Sequence, residues 1–315
     1  MRKRVTILVP CYNEEEALPL FYRELNRVIS SLSQYEFELL FINDGSKDGT
    51  LNVLRSLRKE DKRVQFVDLS RNYGKEIGMI AGFDHATGDC VITIDADLQE
   101  PPEIIPEMLK RWEAGANDVF GRRRQRKQSL GKKISSKMYH KLLSQVSDVD
   151  LDDDAGDFRL LDRKCIAALQ SMRESQRYTK GMYAWIGFKK EGVDYDIAER
   201  VAGTTKWTVP KLFHLAADGL MSHSVLPLRL ASFAGLTVSL CAFVYLVYVI
   251  IKSILWSDPV AGYPSLMCVI LFLGGFILLA LGIIGEYLGR IFMETKRRPL
   301  YFINEYTGND ENVEH

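Results

Sequence analysis

Short apolar runs alternate with amphipathic segments over the first hundred residues. The apolar runs are short enough for strands and end in polar clusters, whereas the segments between them repeat apolar residues at helical spacing. The predicted strands cover residues 5–9, 37–42, 64–69 and 90–95. The predicted helices run from Glu15 to about Leu32, from Asp48 to about Lys59 and from Gly74 to Ala86. This βαβαβαβ series predicts an α/β domain with a parallel sheet and helices on both faces.

The last third of the chain carries two long uncharged apolar runs, 231–251 and 266–285. Each is close to the roughly 20 residues that cross a bilayer core. Arginine precedes the first run, and a basic segment follows the second. Because basic residues favour the cytoplasmic side, we predict a two-helix transmembrane hairpin with both ends in the cytoplasm. The alternative is a pair of buried helices, although soluble folds rarely contain uncharged runs of this length.

These patterns divide the chain into four segments. Residues 1–207 are predicted to form a cytoplasmic domain, and 231–285 the hairpin. Residues 208–230 have apolar positions at helical spacing just before the first run, which favours an interfacial helix over a core helix. Residues 286–315 are predicted to be a basic cytoplasmic tail.

Composition narrows the functional classes. Lys and Arg number 41, as do Asp and Glu, so the balance gives no reason to expect a nucleic-acid partner. The five cysteines show neither CxxC nor zinc spacing, which favours a reducing compartment without disulfides. The first apolar run is too short for a signal peptide.

The fourth predicted strand ends in Asp95 and Asp97. Side chains two residues apart on a strand share a face, so the two carboxylates are expected to point together beyond it. Adjacent carboxylates repel unless a cation lies between them, and Mg²⁺ is often held by one or two carboxylates and by phosphates. The pair therefore indicates half of a metal–diphosphate site. The alternative is a helix-capping turn, with Asp97 as N-cap and Pro101 or Pro102 at the first helical position.

Polar clusters follow the other three strands as well, as PCYNEEE, NDGSKDGT and SRNYGKE. Ligands of open parallel sheets bind at the carboxyl ends of the strands, so four clusters there predict one site. The first turn lacks the G-x-G-x-x-G of dinucleotide-binding proteins, which disfavours a dehydrogenase. Asp44 suits a base or a ribose, and Arg71 and Lys75, placed a turn apart, suit a diphosphate. Together these groups describe a nucleotide-sugar site.

At this point the chain resembles a known family. The motifs that carry the resemblance are VPCYNEE, NDGSKDGT, LSRNYGKE, AGFDHATGD, IDADLQEPPE, GDFRLLDR, RVAGTTKW and PLR. In this order they are similar to those of the inverting family 2 glycosyltransferases, and above all to the membrane-bound polyprenyl-phosphate glycosyltransferases, the group of the bactoprenol glucosyltransferases and dolichyl-phosphate mannose synthases. The resemblance implies a GT-A fold, Rossmann-like with a mixed, mainly parallel sheet, followed by the membrane hairpin.

The resemblance also implies roles for single residues. The donor site would comprise Pro10, Tyr12, Glu14, Asp44, Arg71, Lys75, Asp95, Ala96, Asp97 and Gln99. Within it, Asp95 and Asp97 would bridge Mg²⁺ or Mn²⁺ to the donor diphosphate, which makes Asp97 a catalytic candidate. Asn43 stands where many relatives have Asp, which makes nucleoside contacts less certain. Asp157 matches the acidic position near the reacting sugar; the alternative is an N-cap or a hydrogen-bonded loop acid.

Basic residues supply a candidate site for the acceptor phosphate. The strongest run of positive charge, 121–137, includes Arg123 and Arg126 in a G-x-R-x-x-R spacing. Arg200 and Lys206 form a second cationic pair that the resemblance places over the phosphates. The alternative for all four is solvated surface charge, which such runs usually are.

The resemblance therefore implies inverting transfer of a hexose, first of all glucose from UDP-glucose, to undecaprenyl phosphate. GDP-mannose, UDP-GlcNAc and UDP-galactose are the alternative donors. A processive polysaccharide synthase is expected to carry Q-x-x-R-W and more spans, whereas QRYTKG lacks that motif. A non-catalytic membrane scaffold has no reason to keep these acids and cations together. A second copy of the chain and a flippase of the same pathway are further candidate partners.

Overall fold

The computed structural model describes residues 2–123, 155–175, 177, 179–196 and 262–308, with single positions between 235 and 248. Contacts divide the chain into two compact units. The first runs to Val209, apart from a few residues, and takes in Arg298 onward; the second is mainly Pro210–Arg297. Arg126, Arg200, Lys206 and the predicted interfacial segment 208–230 lie outside the described residues.

The first unit is built on one sheet of eight strands. In chain order these are β1 Lys3–Cys11, β2 Tyr35–Asn43, β3 Val64–Leu69, β4 Cys90–Thr93, β5 Asp118–Arg123, β6 Ala155–Asp162, β7 Lys190–Tyr195 and β8 Ile303–Tyr306. Their order across the sheet is β7-β5-β6-β4-β1-β2-β3-β8. The four strands β4, β1, β2 and β3 run parallel, whereas β6 and β8 are antiparallel to their neighbours. The mixed, mainly parallel sheet predicted from the sequence is confirmed.

Helices cover both faces of this sheet. They are α1 Ala17–Ile29, α2 Thr50–Glu60, α3 Lys75–His85, a 3₁₀ turn Pro102–Ile104, α4 Ile105–Glu113, α5 Arg163–Ser171 and α6 Thr179–Trp185. In α1 the buried Leu18, Phe21, Leu25 and Val28 recur every three or four residues, so one stripe of the helix packs on the sheet. Two buried apolar clusters result: one includes residues of α1, α2 and α4, and the other residues of α3, α5 and α6.

The second unit contains a long helix, α7 Tyr263–Thr295. Among the described residues, one segment is long and apolar enough to cross a membrane: Phe272–Thr295, whose most apolar stretch has a mean hydropathy of 1.8 and is not buried in the protein. The helix extends beyond the predicted apolar run, which ended at residue 285. The residues after that position include both charged and apolar side chains and remain helical. A Cβ built on Gly235 would lie 3.5 Å from a ring carbon of Phe276, so a helical position of the first apolar run lies beside α7.

The predicted basic tail has a different structure from the one expected. After α7 the chain returns to the first unit, where β8 pairs antiparallel with the edge strand β3. The hydroxyl of Thr307 accepts a hydrogen bond from the amide of Phe66, and its carbonyl accepts one from Arg58. Arg55 Nη2 lies 2.6 Å from the carboxylate of Glu305. No long apolar run marks this segment, because β8 has one neighbouring strand and its side chains are exposed or half-buried.

Candidate active site

A cleft of about 310 Å³ opens at the carboxyl ends of β1 to β4. The strand order reverses between β1 and β4, which is where open α/β sheets bind ligands. All four predicted loops contribute to it. Its lining residues are Pro10, Cys11, Tyr12, Glu14, Asp44, Asn72, Gly74, Lys75, Gly78, Asp95, Ala96 and Asp97.

Most of the predicted donor residues are brought together in this cleft, and two are not. Gln99 and Arg71 are absent from the lining. Arg71 precedes α3, with its guanidinium 4.1 Å from the ring centre of Tyr73. Gly74 has φ of +92°, so α3 begins only at Lys75 and Arg71 is not one helical turn away from it. Four lining residues were not predicted: Cys11, Asn72, Gly74 and Gly78. The first three lie within quoted motifs, and Gly78 lies between two of them.

Backbone groups hold the buried Asp44 in the lining of the cleft. Its carboxylate accepts hydrogen bonds from the amides of Tyr73 at 2.7 Å and Gly74 at 2.9 Å. Burial raises the pKa of Asp44, and these two amides oppose that rise. The next residue, Gly45, has φ of +60°, and a Cβ there would lie 2.4 Å from the carbonyl carbon of Arg71. The loops after β2 and β3 therefore approach each other as closely as glycine permits.

Asn43, which replaces the expected acid, has a defined partner. Its side-chain amide donates to Asp68 Oδ1 at 2.6 Å, and both residues are buried. An Asp at this position would place two carboxylates in contact in the core, which is costly unless a proton is shared. An amide at position 43 is therefore compatible with Asp68 on the neighbouring strand β3, because it donates a hydrogen bond to that acid.

The two acids of the D-x-D motif leave the strand before they reach the cleft. β4 ends at Thr93, so both Asp95 and Asp97 lie in the following turn and not on the strand from which their common face was predicted. Asp97 accepts from the amide of Gln99 at 3.1 Å, and Leu98 has φ of +58°. The 3₁₀ turn begins at Pro102 with Pro101 as its N-cap, so Asp97 is not the N-cap.

Lys75 joins Asp95 to Asp157. Its ammonium lies 2.7 Å from Asp95 Oδ1 and 3.1 Å from Asp157 Oδ2. Asp157 is on β6, and its carbonyl accepts the hydroxyl of Thr93 from the adjacent β4. The antiparallel insertion of β6 thus brings an acid about sixty residues away to the D-x-D turn, and the N-cap alternative for Asp157 does not apply because it lies within a strand.

Mutual pairing keeps Lys75 and Asp157 charged. Burial opposes the charge on Lys75, but Asp95 and Asp157 outweigh it and raise the pKa of the ammonium. Burial would likewise raise the pKa of Asp157, yet Lys75 and Lys180 outweigh it and leave that pKa below its usual value. Asp157 is therefore a carboxylate at neutral pH and a weak base.

Two further acids, Glu100 and Glu76, adjoin this centre and were not predicted. Glu100 is 2% exposed; it accepts weakly from the amide of Asp95 at 3.3 Å and lies 3.6 Å from Arg123 Nη2. Burial, then the charge of Asp95, raises the pKa of Glu100 to about 8. Arg123 Nε also donates to the hydroxyl of Tyr195 at 3.1 Å, so a predicted acceptor residue is linked to the D-x-D turn.

Glu76 lies on α3 next to Lys75 and accepts from the amide of Thr179 at 3.0 Å. Burial, then the charge of Asp157, raises the pKa of Glu76 to about 7. Both Glu76 and Glu100 are within quoted motifs. However, burial of an acid depends on residues distant in sequence, so no local pattern indicated it.

The D-x-D acids suit a hard divalent cation. All their donor atoms are oxygens, both residues line the cleft, and the Lys75 ammonium beside Asp95 shows that the turn accommodates a positive charge. Mg²⁺ commonly uses one or two carboxylates and completes its shell with water and phosphate. Within the described residues, no group of three or more His, Cys, Asp or Glu is placed to hold a metal ion.

Comparison with known proteins identifies the family. The family model described as glycosyl transferase family 2 matches residues 6–169. The chain belongs to this family. Residues 226–291 match a second model, the GtrB C-terminal hairpin, and with the apolar α7 this indicates membrane association. The enzyme class predicted from the sequence is confirmed.

The relatives are similar over nearly the whole glycosyltransferase. A prophage bactoprenol glucosyl transferase homolog of Escherichia coli K12 is 42% identical, with 95% of this chain and 98% of the relative covered. The bactoprenol glucosyl transferase of Shigella phage SfX has the same identity and coverage. Glucosyl-3-phosphoglycerate synthase from Mycobacterium tuberculosis, solved with Mn²⁺, UDP and phosphoglyceric acid, has a TM-score of 0.50 at 15% identity, covering 68% of this chain and 75% of its own. This likeness confirms the fold.

Proposed function

We propose that this glycosyltransferase transfers glucose from UDP-glucose to a membrane polyprenyl phosphate, such as undecaprenyl phosphate, with inversion at the anomeric carbon. The main structural support for this function is the contact of Lys75 with both Asp95 and Asp157, which joins the donor cleft to an acid on β6. Relatives named bactoprenol glucosyl transferases, at 42% identity, support the sugar and the lipid. The product would supply glucose for modification of a cell-envelope glycan.

The donor would lie in the cleft, with its nucleoside near Tyr12, Glu14 and Asp44. Asp95 and Asp97 would hold Mg²⁺ or Mn²⁺ at the diphosphate. When bound, this cation supplies positive charge that offsets the charge on the departing nucleoside diphosphate. The chain's own task is to place the anomeric carbon between this turn and Asp157.

The acceptor phosphate is the nucleophile. One of its oxygens forms the bond to the anomeric carbon, while the bond from that carbon to UDP breaks and UDP leaves with the electron pair. A phosphate monoester has a second pKa of about 6 and is largely dianionic at neutral pH, so it needs no strong base. Asp157, as a carboxylate, would orient the acceptor or stabilise the positive charge that develops on the sugar.

A lipid acceptor also accounts for the second unit. We propose that 231–285 crosses the membrane twice, with the catalytic segment 1–207 and both termini in the cytoplasm. The segment 208–230 would keep the active site at the bilayer surface, where the lipid phosphate is located. Arg123 and Arg126, with Arg200 and Lys206, would attract that phosphate.

The test is transfer of radiolabelled sugar in detergent from a panel of nucleotide-sugars to undecaprenyl phosphate. The donors would include UDP-glucose, UDP-galactose, UDP-GlcNAc and GDP-mannose, with Mn²⁺ or Mg²⁺ present. We expect label in the lipid fraction from UDP-glucose, abolished by EDTA and by Asp97→Ala. Transfer from GDP-mannose alone would show that the transferred sugar is mannose and not glucose. No lipid product from any donor, with folded protein and metal present, would favour a processive synthase or a scaffold.

A further inference from the structure

Helix α6 is fixed against the strand that carries Asp157. Four of its residues are buried, among them Thr179 with 3% and Tyr183 with 1% of the surface exposed. The guanidinium of Arg159, two residues after Asp157 on β6, lies 3.8 Å from the ring centre of Tyr183. Arg159 is itself fixed by a buried ion pair with Asp118 at 2.8 Å. The helix therefore has a defined position beside the reacting centre.

The start of α6 is attached to a second element of that centre. The amide of Thr179, the first residue of the helix, donates to Glu76 on α3, next to Lys75. Lys180 follows immediately, so it is anchored on one side by Thr179 and on the other by Tyr183. Unlike these two neighbours, Lys180 is exposed.

The ammonium of Lys180 is available to bind an anionic ligand, whereas that of Lys75 is not. Lys75 already contacts two carboxylates. Lys180 forms no ion pair within the part of the chain that the structure describes. Its charge nevertheless acts on Asp157, since it helps to lower the pKa of that acid. Lys180 is also absent from the lining of the donor cleft, which comes from the loops after β1 to β4 and from the start of α3.

We propose that Lys180 is a further binding residue for the phosphate group of the acceptor. This inference rests on the proposed function, in which a phosphate dianion must come within about 3–3.5 Å of the anomeric carbon, near Asp157. A flexible ammonium is a suitable ligand for such a dianion. Glu76 acts as a positioning residue, because it holds the helix start from which Lys180 projects.

Binding and turnover are measured separately to test this. Farnesyl phosphate, a short polyprenyl phosphate, is titrated into the full-length protein with Mn²⁺ and UDP present, and farnesol serves as the ligand without a phosphate. We expect Lys180→Gln to weaken farnesyl phosphate binding about tenfold, and Lys180→Arg to restore it to within about threefold of wild type. Farnesol and UDP binding should not change. Lys110→Gln, on the exposed side of α4, is the matched control and should bind like wild type.

Equal binding of farnesyl phosphate by wild type and Lys180→Gln would overturn the inference. It would also be overturned if Lys180→Gln lost as much affinity for farnesol or UDP as for farnesyl phosphate. Failure of the wild type to bind farnesyl phosphate would also overturn it. Sugar transfer to undecaprenyl phosphate decides the proposed function instead. A protein that transfers no sugar, yet loses phosphate binding with Lys180→Gln, would refute the function and leave the inference supported.

Discussion

The two sides of the active-site cleft are held in place by different kinds of contact. On the loop side, meaning the loops after β1 and β2, backbone amides bind side chains: Asp44 accepts two of them, and Asn13 accepts from Lys47 N while its own amide donates to Ser46. On the charge side, meaning Lys75, Asp95 and Asp157, side chains hold one another.

The difference indicates how each side responds to substrates. The backbone amides that bind these side chains are part of the folded chain, and no group of the donor has to replace them. The loop side is therefore formed before the donor binds. An ammonium between two carboxylates can be replaced by another cation, because the carboxylates keep a positive partner. We therefore expect the loop side to determine nucleotide affinity and the charge side to determine turnover and cation binding.

The largest expected effect is on the charge side, from Asp157→Asn. The amide has the same shape but no charge, so we expect turnover to fall about a thousandfold, within the range for a lost electrostatic group. UDP affinity should stay within about twofold. Steady-state transfer and UDP titration test this, with the exposed Asp194→Asn as control. Near-normal turnover with intact metal binding would remove Asp157 from the mechanism.

The corresponding change on the loop side is Gly45→Ala. Positive φ costs about 1–2 kcal/mol for a residue with a Cβ, and here the Cβ would also overlap the backbone of Arg71. We expect a stability loss of about 2–4 kcal/mol and UDP binding weakened tenfold or more. Gly115→Ala is a matched control, since Gly115 has φ of +100° and no atom within 4 Å of its Cβ.

Thermal unfolding and UDP titration of the two glycine variants separate conformational cost from overlap. If Gly45→Ala and Gly115→Ala lost the same stability and both kept UDP affinity, the close approach of the loops would not matter. The loop side would then be less constrained than the contacts of Asp44 indicate.

A smaller effect, on stability and pH, is expected from Glu76→Gln. The pKa of Glu76 is raised from 4.5 to about 7, chiefly by burial, so the folded protein keeps a proton that the unfolded chain releases. Stability from this group is therefore greatest below pH 4.5 and falls as pH rises to 7, by on the order of 1–3 kcal/mol. Glutamine should remove this slope and keep the acceptor for Thr179.

Melting temperatures between pH 4.5 and 8 measure that slope. The exposed Glu60→Gln is the control and should follow wild type. Glu100, whose pKa is raised to about 8, contributes a slope of the same sign that both proteins keep. An unchanged slope in Glu76→Gln would therefore mean that Glu76 does not titrate in this range.

The two sides also differ in how far sequence predicts them. The loop side follows from local patterns: each strand is an apolar run that ends in a polar cluster, and parallel strands bring those clusters to one edge. The charge side depends on long-range pairing. Neither the insertion of β6 between β4 and β5, nor the contact of Lys75 with Asp157, nor the burial of Glu76 and Glu100 has a local signature. The site of Asp157 was inferred from a resemblance and not from periodicity.

The return of β8 to the sheet was missed for a related reason. Its strand is short, lies at an edge and follows a long apolar helix, so composition alone favoured a tail. Arg71 was misplaced because its spacing from Lys75 suits a helix, and the positive φ of Gly74 prevents one.

The smallest expected change would define the charge side most sharply. In Lys75→Gln the D-x-D turn loses the ammonium that a divalent cation would have to replace, so we expect Mn²⁺ affinity to rise about three- to tenfold while turnover falls. Lys75→Arg keeps the charge and should bind Mn²⁺ within about twofold of wild type. Titration of Mn²⁺ by electron paramagnetic resonance measures this without turnover. Weaker Mn²⁺ binding by Lys75→Gln would mean that the ammonium holds Asp95 in the geometry that the cation needs; the charge side would then be as preformed as the loop side.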